Sequence, residues 1–522
     1  MVRKEENKIG LVGATAYIVG SIIGSGIFIA PKGIVSHAGS IGLSLIIWVV
    51  CALLNMITAI NYIELGTSIP ENGSDLAYVS YMGWTPLAFS FLWLTVLIQG
   101  SSSCAVLSLT FGQYIVQAIE TFTCLDDWTV LYAERFFGLG LMLILTLTNM
   151  FSLQKFASKV QIVSMFSKIF ATAVIIAVGA FFIIFRGKTT HFGSKVIMEG
   201  SDWTPTAIVL AIYQGNWAFG GYTTLNYGTE EIQIKDFRRT LPRAVLGGLS
   251  VAAIIYLLVN ISYFSILMPV DIIDSEAVAT NGLKGKSSLN PQRSNSSLRE
   301  SRPYRTHFTK TTPSLFVPPV VGLLLIGTLN GDIFGWSRYM VAGAKRGMMP
   351  SAFSLLHVDN DSPRVSVFIH TLLSFAFTFI GNTDDLVNYL TITSTMSTIC
   401  SLSALAIIKW KSLPVSSEAV RYSIFWPLLN IIINVALLAI PIAQEPTTSA
   451  IGFGIFVAGI VAYYINMGVQ RIEPVKSVLW RIDESFTQVC QILTWSVADT
   501  SSTFSTQTKV VPEDDKIVVS RM

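Results

Sequence analysis

Two apolar stretches of membrane-spanning length are each interrupted near the middle by glycine. The first reads Val19-Gly20-Ser21-Ile22-Ile23-Gly24-Ser25-Gly26-Ile27-Phe28, and the second Trp217-Ala218-Phe219-Gly220-Gly221-Tyr222. Backbone groups without partners in hydrocarbon cost several kcal/mol each, so an opened helix persists only where a polar cavity or other protein shelters it. Paired interruptions in the two halves of a chain are a sequence-level pointer to a transporter's binding site at the bilayer midplane. Glycine permits the non-helical dihedrals such a break requires. If the first helix opens at Gly24, Ser25 and Gly26, the half that follows offers free N–H groups at the positive end of its dipole, which attracts a carboxylate. Carbonyls released near Ile22, and near Trp217 and Gly220, suit an ammonium. Together these groups make a receptor for an α-amino acid zwitterion that uses no charged side chain. Taken alone, Gly20-x-x-x-Gly24 has the spacing of a helix-packing face; the second break weighs against that alternative.

Four further positions carry candidate chemistry. Trp217, just ahead of the second break, can cover a bound molecule as a gate and offer its ring face to a cation; the alternative is ordinary helix packing. Lys168, in Ser167-Lys168-Ile169, lies inside an apolar stretch, where an ionisable residue is functional by default. It can replace a coupling cation, or titrate with transport because burial favours the neutral amine, or reach back to the inner interface as long basic side chains do. Glu230 and Glu231, beside Lys235 and Arg238, fit an inner gate or a solvated helix end. Nothing has the pattern of a nucleophile with its base, a phosphate loop or a metal site, and the five histidines lack ligand spacing. No catalytic residue, metal or cofactor is predicted, and the chain is not read as an enzyme.

The elements that must position these residues follow from composition. Of 522 residues, 52% are apolar and 13% charged, with a mean hydropathy of +0.58; soluble domains carry roughly 25% charged residues. The solvent is therefore a lipid bilayer, and a net charge of +3 gives no reason to invoke nucleic acid. At about 20 apolar residues per crossing, twelve spans are predicted, centred near residues 22, 52, 97, 143, 173, 215, 255, 325, 374, 399, 437 and 458. The class is an all-α integral membrane protein of twelve transmembrane helices. Helices one and six are broken, and both occupy the same position if spans one to five and six to ten form a five-plus-five inverted repeat.

Orientation follows the positive-inside rule. Arg3, Lys4 and Lys8, Lys155 and Lys159, Lys235 to Arg243, Lys345, Arg346 and Arg364, and Lys409, Lys411 and Arg421 fall on one side. Both termini are thus expected in the cytoplasm: residues 1–8 as a short N-terminal segment, 9–467 as the transporter domain, and 468–522 as an amphipathic segment and tail. Leu479, Ile482, Phe486, Val489 and Leu493 recur at helical spacing, which predicts a helix on the inner membrane surface. Residues 280–312 break the charge pattern: they are basic, serine-rich and predicted to be a disordered outer loop. Asn295-Ser296-Ser297 within them is a glycosylation triplet. Of five cysteines, Cys51, Cys104, Cys400 and Cys490 read as packing residues, whereas Cys124 sits in a polar outer connection.

The chain resembles a known family. Val19 to Phe28, then Glu64-Leu65-Gly66-Thr67 and Asn72-Gly73-Ser74-Asp75, are similar to the first three helices of the light chains of heteromeric amino acid transporters. That group is the L-type branch of the amino acid–polyamine–organocation superfamily. Ala218 to Gly221, Leu225-Asn226-Tyr227, Thr229-Glu230-Glu231 and Leu241-Pro242-Arg243-Ala244 resemble its sixth helix and the loop after it. Asn330-Gly331, Ser337-Arg338 and Lys345 to Pro350 resemble the eighth helix and its exit.

The resemblance implies sodium-independent amino acid transport, commonly by exchange, at a plasma membrane. It implies that Gly24, Ser25 and Gly26 bind the substrate carboxylate and that the carbonyls of Ile22, Trp217 and Gly220 bind its amine. Lys168 would stand where sodium-coupled relatives hold an ion, and Cys124 would form a disulfide with a single-span glycoprotein heavy chain. The branch that takes cationic as well as neutral substrates places an acid where this chain has Gly220. With no carboxylate recognised to replace it, neutral amino acids are favoured. Small or hydroxylated residues on the tenth helix, Ser394 and Thr398 among them, with Gly221 and Thr223, predict a roomy pocket for large or aromatic substrates. Broad cationic and neutral exchange, proton-coupled uptake and an amino acid-sensing receptor are the alternatives.

Overall fold

A computed structural model describes residues 10–24, 26–71, 73–120, 122–123, 125–151, 154–187, 190–193, 196–227, 236–273, 313–358, 362–379, 383–444 and 446–498. Cys124, Glu230, Glu231, Asn295 and the basic segment 280–312 lie outside the described residues, as does Ser25.

The chain opens with α1 (Leu11–Ile22) and α2 (Gly26–Ala38), which meet at a bend of 46°. The helix α3 (Ile41–Ser68) starts where the Ser40 hydroxyl accepts a bond from the Leu43 amide at 3.2 Å, a side-chain cap for one of its free N–H groups. A short α4 (Asp75–Tyr81) leads to α5 (Thr85–Leu94), which passes through a π-helical turn at Thr95–Gly100 into α6 (Ser101–Ile119). Then come α7 (Asp127–Phe151), α8 (Gln154–Ile184) and α9 (Pro205–Ala218), the last begun by a Thr204 cap and a proline in its first turn. The short α10 (Thr224–Tyr227) precedes α11 (Phe237–Ile266) and α12 (Pro269–Ile273). The remaining helices are α13 (Pro313–Lys345), α14 (Arg364–Phe377), α15 (Thr383–Trp410), α16 (Phe425–Gln444), α17 (Pro446–Gln470) and α18 (Glu473–Thr494).

All twelve predicted span centres fall on helical segments. Among the described residues, six helices are long and apolar enough to cross a membrane: Ile41–Ser68, Thr85–Ile119, Trp128–Phe151, Phe166–Ile184, Phe237–Ile266 and Ala450–Val469. The bent pair α1 and α2 makes a seventh if it is one span, and Arg364–Phe377 and Phe425–Ile440 are shorter apolar helices. Leu143, Ile144 and Leu147 on α7, Phe166 and Phe170 on α8, and Ile254 on α11 point outward from the bundle. Apolar exposure on this scale marks a surface that lipid covers.

The interior is built around the broken helices. α1 packs on α11, α2 on α9, and α3 lies against both α9 and α11. On the opposite flank α13 packs on α6 and α8. At the end of the chain, Leu479, Ile482, Phe486, Val489 and Leu493 are exposed on α18, in agreement with its predicted amphipathic pattern. This helix is pinned to the bundle by the Ser351 amide, which donates to Asp483 at 3.0 Å, and by a two-stranded antiparallel sheet. The strands are β1 (Leu355–His357) and β2 (Ser496–Ala498), with Leu355 opposite Ala498.

One ion pair ties the bundle near the end of α3. Lys409, in the last turn of α15, donates to both Glu64 oxygens at 2.6 and 2.8 Å and to the Tyr422 carbonyl at 2.5 Å. The Glu64 side chain is buried and that of Lys409 is 14% exposed. Removing one partner of a buried pair leaves an uncompensated charge, which costs about 3–5 kcal/mol, whereas apolar replacement of both is often neutral. Glu64→Ala should therefore lower thermal stability in detergent by that order, and Glu64→Leu with Lys409→Met should recover much of it. Identical unfolding curves for Glu64→Ala and the parent would contradict this account.

Candidate functional site

Helix α1 stops because Ile23, with ψ near 90°, turns the chain out of the helix after a last bond from its amide to Val19 O at 2.9 Å. Helix α9 ends in a tightened turn: the Phe219 amide donates to Asn216 O at 3.2 Å and the Gly220 amide to Trp217 O at 3.1 Å. Gly221 then takes a φ of +106°, a conformation that L side chains rarely adopt. The two breaks face each other. A Cβ on Gly26 would fall 2.5 Å from the Ala218 Cα, and one on Gly221 only 2.8 Å from the Ser21 carbonyl oxygen. Glycine is thus required at position 26 by contact, and at position 221 by contact as well as by torsion.

The freed carbonyls of these helix ends are met from two sides. Tyr256 of α11 is fully buried, and its hydroxyl lies 2.6 Å from the Ile22 oxygen and 2.9 Å from the Ala218 oxygen. A single hydroxyl proton therefore serves a carbonyl at the end of α1 and another at the end of α9. Trp48 and Phe219, with ring centroids 5.4 and 5.0 Å away, hold the phenol in place. Lys168 of α8 supplies the second donor: its Nζ bonds to Gly20 O at 2.6 Å, and the residue is 1% exposed. The ammonium is turned into the bundle, so this lysine does not extend toward a membrane surface.

The breaks form one wall of a cavity of about 370 Å³, within the roughly 300–1,000 Å³ usual for small-molecule sites. Of the residues predicted from sequence, Ile22, Gly24, Gly26, Trp217, Gly220, Gly221, Thr223, Ser394 and Thr398 all line it. Trp217 also packs on Ala105 and Val106 of α6, so ring packing and cavity lining are both true of it. The Ile22 carbonyl, expected to be open for an amine, has one lone pair engaged by Tyr256; a carbonyl oxygen has a second.

The sequence marks no carboxylate for the pocket, yet the structure brings two to it. Asp332 of α13 and Asp75 of α4 both line the cavity, as does Arg338. Asp75 accepts from the Tyr62 hydroxyl at 2.5 Å and from Ser401 at 2.6 Å. Asp332 accepts from Ser103 Oγ at 2.5 Å. Neither residue lies in a break or in a charged run, so only helical phase could have suggested them: Asp332 follows Thr328 by one turn, and Thr328 touches Gly24. Tyr256 gave no sequence signal beyond being an aromatic residue in an apolar helix.

The sequence pattern of the amino acid permease family matches residues 9–465. The chain is 33% identical to "Amino acid transporter protein 6" of Caenorhabditis elegans, over 88% of this chain and 82% of that protein. It is 30% identical to "Large neutral amino acids transporter small subunit 2" of Mus musculus, over 88% and 81%. With the human "Cystine/glutamate transporter" it shares 29% identity, over 98% and 92%. The fold defines a multi-pass membrane protein with a cavity of small-molecule size between its helices. The chain belongs to the amino acid permease family, in its L-type light-chain branch, a family of transporters rather than enzymes.

The Tyr256 clasp makes a direct prediction. Tyr256→Phe keeps the ring and removes the only proton shared by the two carbonyls. Leaving a buried acceptor unsatisfied costs about 1–3 kcal/mol. Thermal unfolding of the purified variant in detergent should report a loss of that order; a curve superimposable on the parent's would show that the clasp contributes nothing.

Proposed function

We propose that this chain is a sodium-independent exchanger of L-amino acids that works by alternating access around its two broken helices. The observation that carries the reading is the meeting of the α1–α2 and α9–α10 breaks on one wall of a single cavity, in a chain of the amino acid permease family. Backbone N–H groups of Gly24, Ser25 and Gly26 bind the substrate carboxylate, at the start of α2 where the helix dipole favours an anion. The carbonyls of Ile22, Trp217 and Gly220 take the α-ammonium, and Trp217 gates the occupied site. Gly221, Thr223, Ser394 and Thr398 leave room for a large or aromatic side chain. Lys168, fixed on Gly20 O, supplies the positive charge for which a coupled transporter would recruit sodium. The transporter body over 9–467 is read as twelve spans in a five-plus-five inverted repeat, in a plasma membrane with both termini cytoplasmic.

Trans-stimulation tests the exchange. Vesicles preloaded with unlabelled leucine should take up labelled leucine several-fold faster than empty ones, with or without sodium. Gly26→Val, which drives a side chain into the Ala218 backbone, should abolish uptake at unchanged surface level, and Lys168→Met should slow it strongly. Equal uptake into loaded and empty vesicles would argue for uniport or proton coupling instead; saturable binding without any flux would indicate a receptor.

The partner is a single-span glycoprotein heavy chain, disulfide-linked through Cys124. The support is the oxidising exterior expected at that connection and the naming of a relative as a small subunit. On a non-reducing gel, Cys124→Ser should eliminate a high-molecular-weight band that reductant also eliminates. Glycan removal on the same gel reads out Asn295. A parent protein that migrates identically with and without reductant would refute the covalent link.

A further inference from the structure

Asp332 is a carboxylate inside the membrane bundle, and such a group is expensive unless it serves a function. It sits on α13 one turn, or about 6 Å, beyond Thr328, whose methyl group lies 3.0 Å from where a Gly24 Cβ would be. The carboxylate therefore lies one helical turn along α13 from the residue that meets the first break, and it lines the same cavity. Its hydrogen bond from the neutral Ser103 hydroxyl orients it without neutralising it. The nearby Lys168 does not line the cavity: its ammonium is bonded to the Gly20 carbonyl behind the wall. Among the described residues, no ion pair within 4.0 Å joins Lys168 or any other base to Asp332. The second cavity carboxylate, Asp75, is held by Tyr62 and Ser401. Trp217 and Trp336 also line the cavity, and indole faces attract cations.

We propose that Asp332 is the specificity-determining residue for the substrate side chain, and that it admits amino acids carrying a positive charge several bonds from the α-carbon. This rests on the reading of the cavity as an amino acid site. A guanidinium or ammonium reaching Asp332 forms a charge-assisted hydrogen bond in a poorly hydrated setting, where such bonds are strong. A negatively charged side chain meets repulsion from the same atoms. The exchanger thus accepts basic as well as neutral amino acids, with the acid supplied by the eighth span rather than at Gly220 in the sixth.

Arginine and citrulline test this directly, because they have nearly the same shape and differ in charge. Uptake of each labelled compound is measured with the full-length chain, normalised to surface protein. The parent should favour arginine, and Asp332→Asn should cut the arginine-to-citrulline ratio by at least about tenfold, as expected for loss of a hydrogen bond between charged groups. Asp332→Glu should retain a preference for arginine. A parent that prefers citrulline overturns the proposal, as does an Asn variant at normal surface level with an unchanged ratio; Asp332 then only balances Lys168. If the Asn variant fails to reach the surface, the parent ratio and the Glu variant decide. Leucine flux without arginine flux would sink this proposal alone, whereas absence of flux for every amino acid would remove the exchanger reading beneath it.

Discussion

A helix opened inside hydrocarbon must find protons for the carbonyls it releases. In this protein they come from two side chains on neighbouring helices, Tyr256 on α11 and Lys168 on α8. Both donors are enclosed, and both aim at the ends of half-helices rather than at other side chains. The glycines allow the breaks, but these donors make the broken state affordable. Because Tyr256 serves α1 and α9 with one hydroxyl, the two breaks are mechanically linked: neither half can shift without disturbing the other's bond.

The same reasoning organises the charges. Glu64 and Lys409 neutralise each other through two hydrogen bonds, and the Tyr422 carbonyl takes a further Lys409 proton. Asp75 has two hydroxyl donors, from Tyr62 and Ser401. Asp332 has the Ser103 hydroxyl and an open cavity beside it. These side chains form a gradient from fully compensated, where the role is cohesion, to partly compensated, where a ligand can complete the shell.

The twelve apolar runs located helices correctly, because a run of apolar residues needs no tertiary knowledge to be read. Both breaks were legible for a related reason: glycine pairs in such runs are local events. The pocket residues Thr223, Ser394 and Thr398 were found through resemblance to a family, and all of them line the cavity. Asp75 closes the motif Asn72-Gly73-Ser74-Asp75, and Asp332 directly follows Asn330-Gly331, but nothing in either motif marks the carboxylate as a pocket residue. Neither has a neighbouring charge to mark it. Their approach to the breaks depends on the rotation of α4 and α13 about their axes.

Sequence by itself determined that this chain dissolves in lipid, where its helices run and where two of them come apart, since each depends on residues within one or two turns. Tertiary structure alone decided which atoms face the broken segments. Tyr256 lies more than two hundred residues from Ile22, and Lys168 nearly one hundred and fifty from Gly20. Hydrogen bonds between helices so far apart in the chain are set by how the helices pack and rotate, and no local pattern of residue types encodes that rotation.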